Sequence, residues 1–362
     1  MSHWTHHNPV RIIAGKNCLV DLPQLLPADG SCWLLVTTEG FTRRGMTARL
    51  KVLASGVEVK AYDRVTPNPE LDELEARTGE FRNHKFQGII ALGGGSVLDA
   101  AKVLAVALAS ELEHPLTQTL REGQRQNWQH KLPLIAIPTT SGTGAEVTPF
   151  ATVWDQNSYK KYSVTGDKVY PDTALLDPTL ILTLPHDETL FTGLDTISHA
   201  LESLWNKNKT PLSEAWAWQA LALANEALPY VLEEPDNLIQ REKMQQASLM
   251  SGLAISQTRT AIAHSISYPL TCHYGVPHGL ACSFTLPTLI TMAVRQGILY
   301  ESPLLKQLQV CLTNLNLNKK IVKYASTQAI TALQNEMHTP GRTDNCVIDE
   351  ITTSSILTCS LQ

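Results

Sequence analysis

The sequence predicts an α/β domain with a parallel sheet, followed by a domain that is entirely α-helical. In the first half of the chain, short apolar runs alternate with segments of helical periodicity, and the connections between them are short. Beyond Asp177-Pro178 the strand-like runs thin out and mostly helical patterns remain. A chain of 362 residues is long enough for about two domains. We therefore assign the α/β domain to residues 1–180 and the all-helical domain to residues 181–362.

Each element of the two domains is predicted from its pattern of apolar residues. Strand–helix alternation with short turns implies a parallel sheet covered on both faces. The predicted strands are residues 33–37, 57–62, 88–92 and 134–137, and the predicted helices between them are residues 42–54, 70–83 and 97–109. In the second domain, helical spacing predicts helices at residues 187–207, 212–232, 241–256 and 261–268, with shorter ones after Pro287.

Composition and charge exclude several classes of protein. The formal net charge is −5 and no long basic run is present, so the chain lacks the electrostatic signature of nucleic-acid binding. The seven cysteines are scattered without Cys-x-x-Cys spacing, which favours reduced thiols over a disulfide framework or a zinc ribbon. No apolar run approaches the roughly 18 residues of a membrane span. We expect a cytoplasmic protein without membrane or nucleic-acid partners.

Four polar residues of the helical half have the chemistry of a metal site. Asp195 and His199 are four residues apart, which stacks them on one face of a helix, and His264 and His278 follow later in the chain. One carboxylate and three imidazoles can surround a divalent transition metal and leave a position open for substrate. A single Asp-x-x-x-His pair is more often a surface pair or a cap, so the prediction depends on all four residues together.

Two loops rich in small residues follow predicted strands. Residues 93–96 (Gly-Gly-Gly-Ser) open a helix, where bare backbone and free N–H groups can approach a phosphate. The G-x-G-x-x-G pattern is absent, and a simple tight turn is the alternative. Residues 138–146 carry several hydroxyl groups that suit a pyrophosphate or a ribose, although a serine/threonine turn would have the same composition.

Taken together, these segments resemble the iron-containing (group III) alcohol dehydrogenases. The resemblance covers nearly the whole chain: residues 93–102 match G-G-G-S-x-x-D-x-A-K, residues 138–146 match P-T-T-x-G-T-G-x-E, and residues 193–202 match G-x-D-x-x-x-H-A-x-E, together with Asp177-Pro178, His264 and residues 277–279. The resemblance implies a Rossmann-like nucleotide domain, an all-helical metal-binding domain and the fold shared with dehydroquinate synthase. It also implies hydride transfer between a nicotinamide and a small alcohol or aldehyde.

The resemblance also implies roles for individual residues. Asp195, His199, His264 and His278 would bind Fe²⁺ or Zn²⁺ and act in catalysis. The residues that would contact NAD or NADP are Thr37, Thr38, Asn68, Gly94, Gly95, Ser96, Asp99, Thr139, Thr140, Thr143, Lys161 and Leu180. Relatives that prefer NAD often hold Asp at the position of Thr38, so a neutral residue there leaves NADP open, whereas the neighbouring Glu39 argues for NAD.

Two further positions concern proton transfer and the substrate. Many family members carry His four residues after the third metal ligand, but this chain has Tyr268, which either donates a hydrogen bond in catalysis or is a packed aromatic. Residues 256–268 resemble the branch that reduces phosphonoacetaldehyde to 2-hydroxyethylphosphonate. Arg259 lies five residues before His264, and its guanidinium could clamp a phosphonate or carboxylate. The alternative for Arg259 is an interdomain salt bridge.

The resulting hypothesis is a metal-dependent NAD(P)(H) alcohol dehydrogenase or aldehyde reductase that forms a homodimer or higher homo-oligomer. Its substrate is a small aldehyde, either neutral or anionic, with phosphonoacetaldehyde as the anionic example. One alternative is a lyase or cyclase of the dehydroquinate synthase type, whose extra basic motifs are not found here. A second alternative is a non-catalytic nucleotide-binding protein, against which the complete set of metal-ligand residues argues.

Overall fold

The computed structural model describes residues 3–124, 128–158, 160–349 and 352–362. The chain forms two compact units, one of Asn8–Thr140 and Ala145–Ile181 and the other of Met1–His7, Ser141–Gly144 and Leu182–Gln362. The change after Ile181 falls beside residue 180, where the sequence predicts the domain boundary. The two short segments that belong to the helical unit are not predicted from sequence.

The first unit is an α/β unit built around a parallel sheet. Within the described residues the sheet has six strands in the order β1-β8-β5-β4-β2-β3, and every pairing between neighbours is parallel. Its strands are β1 (Arg11–Ala14), β2 (Cys32–Val36), β3 (Glu58–Tyr62), β4 (Gly88–Gly93), β5 (Leu134–Pro138) and β8 (Thr173–Leu176). Its helices are α1 (Glu39–Arg43), α2 (Met46–Leu53), α3 (Leu71–Phe81) and α4 (Gly95–Leu108).

Both faces of this sheet are buried. Along β4, Ile89 and Ala91 belong to a hydrophobic cluster that includes residues of α3 and α4, whereas Ile90 and Leu92 belong to a second cluster with residues of α2 and of the 3-10 segment Cys18–Leu25. Successive side chains of a strand point to opposite faces, so a strand buried on both sides is apolar throughout. The predicted parallel α/β architecture is confirmed.

The α/β unit differs from the sequence prediction in three places. The single helix predicted at residues 42–54 is wrong, because Gly45 has a φ of 79° and separates α1 from α2. The short strands β1 and β8 are not predicted, although each pairs in parallel with a neighbour. A separate antiparallel ribbon of β6 (Phe150–Asp155) and β7 (Lys160–Thr165) is also not predicted.

The second unit is helical, as predicted. Its described helices are α5 (His186–Leu204), α6 (Pro211–Glu233), α7 (Leu238–Thr258), α8 (Ile262–Tyr274), α9 (His278–Ala281), α10 (Leu286–Arg295), α11 (Pro303–Asn314), α12 (Leu317–Ile321), α13 (Thr327–Ala332) and α14 (Thr353–Ser360). One continuous hydrophobic core contains residues of most of them, with the fully buried Trp205 among its largest side chains. Helix α8 extends six residues beyond the predicted end at residue 268 and includes Pro269.

None of the helices in the described part of the chain combines the length and the apolar character that a membrane crossing requires. Among the described residues the cysteines are free thiols, and Cys18 and Cys282 are buried.

Candidate functional site

Helix α5 carries the first two residues of the predicted metal site into the core of the helical unit. From Gly193 to Leu204 every residue of this helix is buried. A Cβ atom on Gly193 would lie 2.6 Å from Cδ1 of Leu228, so glycine is needed for α6 to pack this closely. Asp195 and His199 are 3% and 5% exposed, and buried polar groups of this kind require partners.

Three histidines converge on one oxygen atom of Asp195. The Nε2 atoms of His199 and His264 both lie 3.4 Å from Oδ1 of Asp195, and Nε2 of His278 lies 3.8 Å from the same atom. The rings of His199 and His264 are stacked with centroids 4.8 Å apart, and His278 meets His264 edge-on at 5.2 Å. The four side chains predicted as metal ligands are therefore brought together from α5, α8 and α9.

Glu202 orients His264. Its buried carboxylate lies 2.6 Å from Nδ1 of His264 and accepts backbone N–H bonds from Ala261, Ala263 and His264 at 2.9, 2.6 and 3.2 Å. A carboxylate on the second ring nitrogen fixes the orientation of a histidine and raises its basicity as a ligand. Glu202 belongs to the sequence motif of α5, but the sequence does not assign it this role; its position seven residues after Asp195, on the same helix face, is the signal.

A backbone carbonyl orients His199 in the same way. Nδ1 of His199 lies 3.2 Å from the carbonyl oxygen of Gly142, in the short segment Ser141–Gly144 that belongs to this unit. A Cβ atom on Gly142 would lie 2.7 Å from Cβ of Thr192, so a larger residue would push this segment away from α5. The segment is held further by a 3.2 Å hydrogen bond from the Thr196 hydroxyl to the carbonyl of Ser141.

The electrostatics of the cluster favour a bound cation. Burial would raise the pKa of Asp195, but the three neighbouring histidines outweigh it and hold that pKa well below its usual range. Burial lowers the pKa of His199. Burial acts in the same direction on His264, but the Glu202 and Asp195 carboxylates outweigh it and raise the pKa of His264 to about 10. Two buried carboxylates thus attract positive charge to the position of the His264 ring.

The residues present fit a divalent transition metal. Nε2 of His264 is buried and has no hydrogen-bond partner among the described residues, although its ring is held firmly through Nδ1. An unpaired buried nitrogen is costly unless something binds it. Three imidazoles and one carboxylate are the donor set that Fe²⁺ and Zn²⁺ accept, with room for a further ligand. His278, whose side chain is 35% exposed, lies on the solvent-accessible side.

Cys282 joins this cluster and was missed in the sequence. Its Sγ lies 3.5 Å from Oδ1 of Asp195 and 3.5 Å from the carbonyl oxygen of Gly279. Asp195, His264, His278 and Cys282 each place one ligand atom within 4.8 Å of the others. The signal in the sequence is the spacing of four residues between His278 and Cys282, the same as between Asp195 and His199.

Arg259 and Tyr268 lie on either side of His264 in the sequence. Tyr268 is half-buried one helical turn beyond His264, and its hydroxyl accepts a 3.3 Å hydrogen bond from Nε of Arg342. Arg259 ends α7 with an exposed side chain, and its backbone has a φ of 62° and a ψ of 178°. Its predicted partner across the domains is not observed: among the described residues no carboxylate forms an ion pair with Arg259.

In the α/β unit, the structure brings part of the predicted cofactor loop together at the start of α4. Gly94 is the N-cap of this helix and Gly95 its first residue. The Ser96 hydroxyl accepts a 3.3 Å bond from the backbone N–H of Asn68, a residue with a φ of 58°. A Cβ atom on Gly94 would lie 3.0 Å from Cγ2 of Thr140, so the two small-residue loops touch at this point.

The other predicted cofactor residues are placed as follows. Thr139 donates its backbone N–H to Gly93, and Thr37 donates its hydroxyl to Leu92 at 2.8 Å, both beside the end of β4. The remaining positions are the N-cap of α1 (Thr38), the 3-10 turn Pro178–Ile181 (Leu180, half-buried), α4 (Asp99), β7 beside Trp154 (Lys161) and the segment that belongs to the helical unit (Thr143). Asp99 accepts a 2.8 Å bond from the backbone of Thr152, so it anchors β6 in this structure.

Each half of the chain matches a family model of known proteins. Residues 9–178 match the family model described as iron-containing alcohol dehydrogenase. Residues 189–359 match the model described as Fe-containing alcohol dehydrogenase family, C-terminal. The two matches divide the chain close to the boundary between its compact units.

Individual relatives point in the same direction. A sulfoacetaldehyde reductase from Bilophila wadsworthia is 32% identical over 289 residues, which cover 78% of this chain and 73% of that protein. A phosphonoacetaldehyde reductase from Streptomyces viridochromogenes is 37% identical over 225 residues, covering 60% of this chain and 56% of that protein. The crystal structure of a sulfoacetaldehyde reductase from Bifidobacterium kashiwanohense in complex with NAD⁺ superposes with a TM-score of 0.87 at 28% identity, over 99% of this chain and 98% of that chain. The family matches and these identities show that the chain belongs to the iron-containing alcohol dehydrogenases.

Proposed function

We propose that this chain is an NAD(P)H-dependent aldehyde reductase and alcohol dehydrogenase whose metal is held by Asp195, His199, His264 and His278. The observation that carries the proposal is the convergence of three histidine Nε2 atoms on one oxygen of Asp195, at 3.4, 3.4 and 3.8 Å. A divalent metal held there would act as a Lewis acid on the substrate oxygen, stabilising an alkoxide in oxidation and polarising a carbonyl in reduction.

The protein residues around this site have separate tasks. Glu202 and the carbonyl of Gly142 keep the ring protons of His264 and His199 on Nδ1, which leaves each Nε2 available as a ligand. Tyr268 is one helical turn from His264, and its hydroxyl oxygen accepts a hydrogen bond from Nε of Arg342. We propose Tyr268 as the proton donor because it stands four residues after His264, where many members of the family carry His.

The cofactor is assigned to the α/β unit. The nicotinamide of NADH or NADPH would supply the hydride, as in other dehydrogenases. The free N–H groups at the start of α4, together with Gly94, Gly95 and Ser96, suit the pyrophosphate. The NAD⁺ complex of the similar sulfoacetaldehyde reductase supports NAD as the first choice, while the neutral Thr38 leaves NADP to be tested.

The substrate is proposed to be a small aldehyde with an anionic group. Two similar proteins carry the names sulfoacetaldehyde reductase and phosphonoacetaldehyde reductase. Arg259, five residues before His264, supplies the positive charge that such a substrate needs. The assignment of residues 1–180 to the cofactor and 181–362 to metal and substrate belongs to the same proposal, as do the cytoplasmic location and the homo-oligomeric state.

One experiment tests this function directly. Protein reconstituted with Fe²⁺ or Zn²⁺ is assayed with NADH and with NADPH against a panel of small aldehydes, both neutral and anionic. We expect metal-dependent oxidation of the reduced cofactor with at least one aldehyde. If no aldehyde oxidises NADH or NADPH with either metal, the protein is not a reductase of these substrates. If a substrate is converted only when NAD is present, but NAD is not consumed, the lyase alternative is favoured.

A further inference from the structure

Arg259 adopts a backbone conformation that is normally confined to glycine. Its φ of 62° and ψ of 178° lie in a region where a side chain is strained, and such residues cluster at ligand sites. The conformation is imposed by the surroundings: the N–H of Arg259 donates to Ile255 at 2.8 Å, and its carbonyl accepts from Asn206 at 3.2 Å and from the Thr258 hydroxyl at 2.9 Å. The chain therefore leaves the end of α7 in one fixed direction.

The segment that follows Arg259 is tied to the candidate metal centre. The carbonyl of Thr260 accepts a 3.0 Å bond from the Asn345 side chain, and the N–H of Ala261 donates to Glu202 at 2.9 Å. Glu202 is the carboxylate that orients His264. A rigid five-residue connection thus sets the position of the Arg259 backbone relative to the His264 ring.

A second arginine is brought to the same place by residues close to the end of the chain. Arg342 precedes the short 3-10 turn Thr343–Asn345. In that turn the Thr343 hydroxyl lies 2.8 Å from the Ser265 hydroxyl, while Asn345 binds the carbonyl beside Arg259 as described above. Nε of Arg342 donates to the Tyr268 hydroxyl at 3.3 Å, and Nη1 donates to the carbonyl of Gly341 at 3.4 Å.

The segments that carry the two arginines are joined by the hydrogen bond from Asn345 to Thr260, and neither guanidinium has a paired carboxylate among the described residues. Within the described residues, no ion pair involves either Arg259 or Arg342. The nearest acidic residue in sequence, Asp344, is engaged elsewhere, with Oδ1 3.6 Å from Nε2 of His338 and Oδ2 accepting from the N–H of Gly341. Partial burial lowers the pKa of Arg259, and the positive charge of Arg342 lowers it further. Two like charges held together in this way are stabilised by a bound anion.

We propose that Arg259 and Arg342, with Tyr268 positioning Arg342, form the subsite that binds the tetrahedral oxyanion of the substrate. The inference rests on the proposed function, because it assigns a substrate class to the same site. Each planar guanidinium can donate two parallel hydrogen bonds to an oxyanion. Phosphonate, phosphate monoester and sulfonate groups share this chemistry, and a dianion is favoured over a monoanion because two positive charges face it.

The test compares three aldehydes of nearly equal shape on metal-loaded enzyme: phosphonoacetaldehyde, sulfoacetaldehyde and tert-butylacetaldehyde, which is neutral. We expect Arg342→Ala and Arg259→Ala each to lower kcat/KM for the anionic aldehydes by about 10- to 100-fold, mainly through KM. The neutral aldehyde should lose much less than either anionic one, because it carries no group for the arginines to bind. Arg295→Ala, an exposed arginine at the end of α10, is the matched control and should change none of the three.

Two further variants separate binding from structure. Arg342→Lys keeps the charge but not the paired donors, so it should recover only part of the loss. Tyr268→Phe removes the acceptor of Nε and should raise KM for the anionic aldehydes beyond any change seen with the neutral one. Equal losses for all three aldehydes in the arginine variants would overturn the proposal. A larger effect on phosphonate than on sulfonate identifies the dianion as the preferred ligand.

A binding measurement keeps this inference apart from the proposed function. Calorimetric titration with methylphosphonate needs no turnover, and we expect binding to the wild type that is lost in the Arg259→Ala/Arg342→Ala double variant. If no aldehyde is reduced but this difference is seen, the proposed function fails and the anion subsite stands. If aldehydes are reduced but methylphosphonate binds both proteins equally, the subsite is wrong and the proposed function stands.

Discussion

The two units of this protein prepare their candidate sites in different ways. In the helical unit, ionisable side chains from α5, α8 and α9 converge in a buried cluster, and one of their nitrogens, Nε2 of His264, lacks a partner among the described residues. In the α/β unit, the candidate cofactor loops consist of glycine, short hydroxyl side chains and backbone at the start of α4. The first site needs a ligand to balance its polar groups, whereas the second offers space and backbone donors.

The buried charges of the two units show the same contrast. Lys102 in α4 is fully buried, and burial lowers its pKa to about 8 although Asp99 and Glu146 oppose this. Its Nζ donates to the Thr148 hydroxyl at 3.0 Å and to the carbonyl of Phe150 at 2.9 Å, so its bonding is completed within the protein. A buried charge satisfied in this way supports the fold, while an orphaned nitrogen such as that of His264 indicates a ligand.

The largest effect is expected from His264→Ala, which removes the least satisfied member of the helical cluster. Activity should fall to background and metal content should drop well below one ion per chain, while the circular dichroism spectrum stays native. His273→Ala, at a more exposed histidine of the same helix, serves as the control and should retain metal and activity. Full metal content in the His264 variant would show that the unpaired Nε2 of His264 does not bind the metal.

The next largest effect is expected from Gly279→Ala, which tests how tightly the helical cluster is packed. A Cβ atom there would lie 1.8 Å from the carbonyl oxygen of Phe191, so α9 and the adjacent His278 must move. We expect a loss of about 1–3 kcal/mol or more in the free energy of unfolding, together with weaker metal binding. Gly79→Ala in α3 meets no atom within 4 Å and should be neutral or stabilising. Denaturant unfolding of both variants measures the difference.

Gly95→Val tests the α/β unit, where we expect the size of a side chain, rather than its charge, to decide how tightly the cofactor binds. A branched side chain on the first residue of α4 blocks the approach of a pyrophosphate to the backbone. We expect the Kd for NADH to rise by about tenfold or more, which corresponds to about 1.4 kcal/mol. Fluorescence titration measures the Kd, and metal content should be unchanged. An unaltered Kd would remove this loop from the cofactor site.

The smallest effect concerns an ion pair of the α/β unit. The Arg121 guanidinium, 2.8 Å away through Nε, holds the pKa of the Asp155 carboxyl well below its usual range. Because the folded-state pKa lies below the unfolded value of about 3.9, this stability is present above that pH and is lost as the pH falls through the folded-state pKa.

Asp155→Asn should therefore lower the free energy of unfolding by about 1–2 kcal/mol near neutral pH. The difference from wild type should shrink as the pH falls below about 3.9. Urea unfolding at a series of pH values checks this. A difference that is independent of pH would mean that the pair acts through packing rather than charge.

Local chemistry made much of this protein predictable. The spacing of Asp195 and His199 places both on one face of any helix, and the strand-to-helix position of residues 93–96 presents free backbone donors wherever it occurs. Resemblance to a family extended these local signals to His264 and His278. The parallel sheet followed from alternating patterns, but β1 and β8 were missed because strands of four residues carry too few side chains to establish a period.

Only the tertiary structure decided which distant residues meet. Cys282 lies beside Asp195 across 87 residues of sequence, and Glu202 contacts the His264 ring across 62. Arg342 meets Tyr268 across 74 residues, next to the strained Arg259. The sequence by itself determined the periodicities, the turn chemistry and the identity of the ligand types, because these depend on backbone geometry within a few residues. The composition of each site depends on how whole helices pack, and packing is a property of the complete core rather than of any segment.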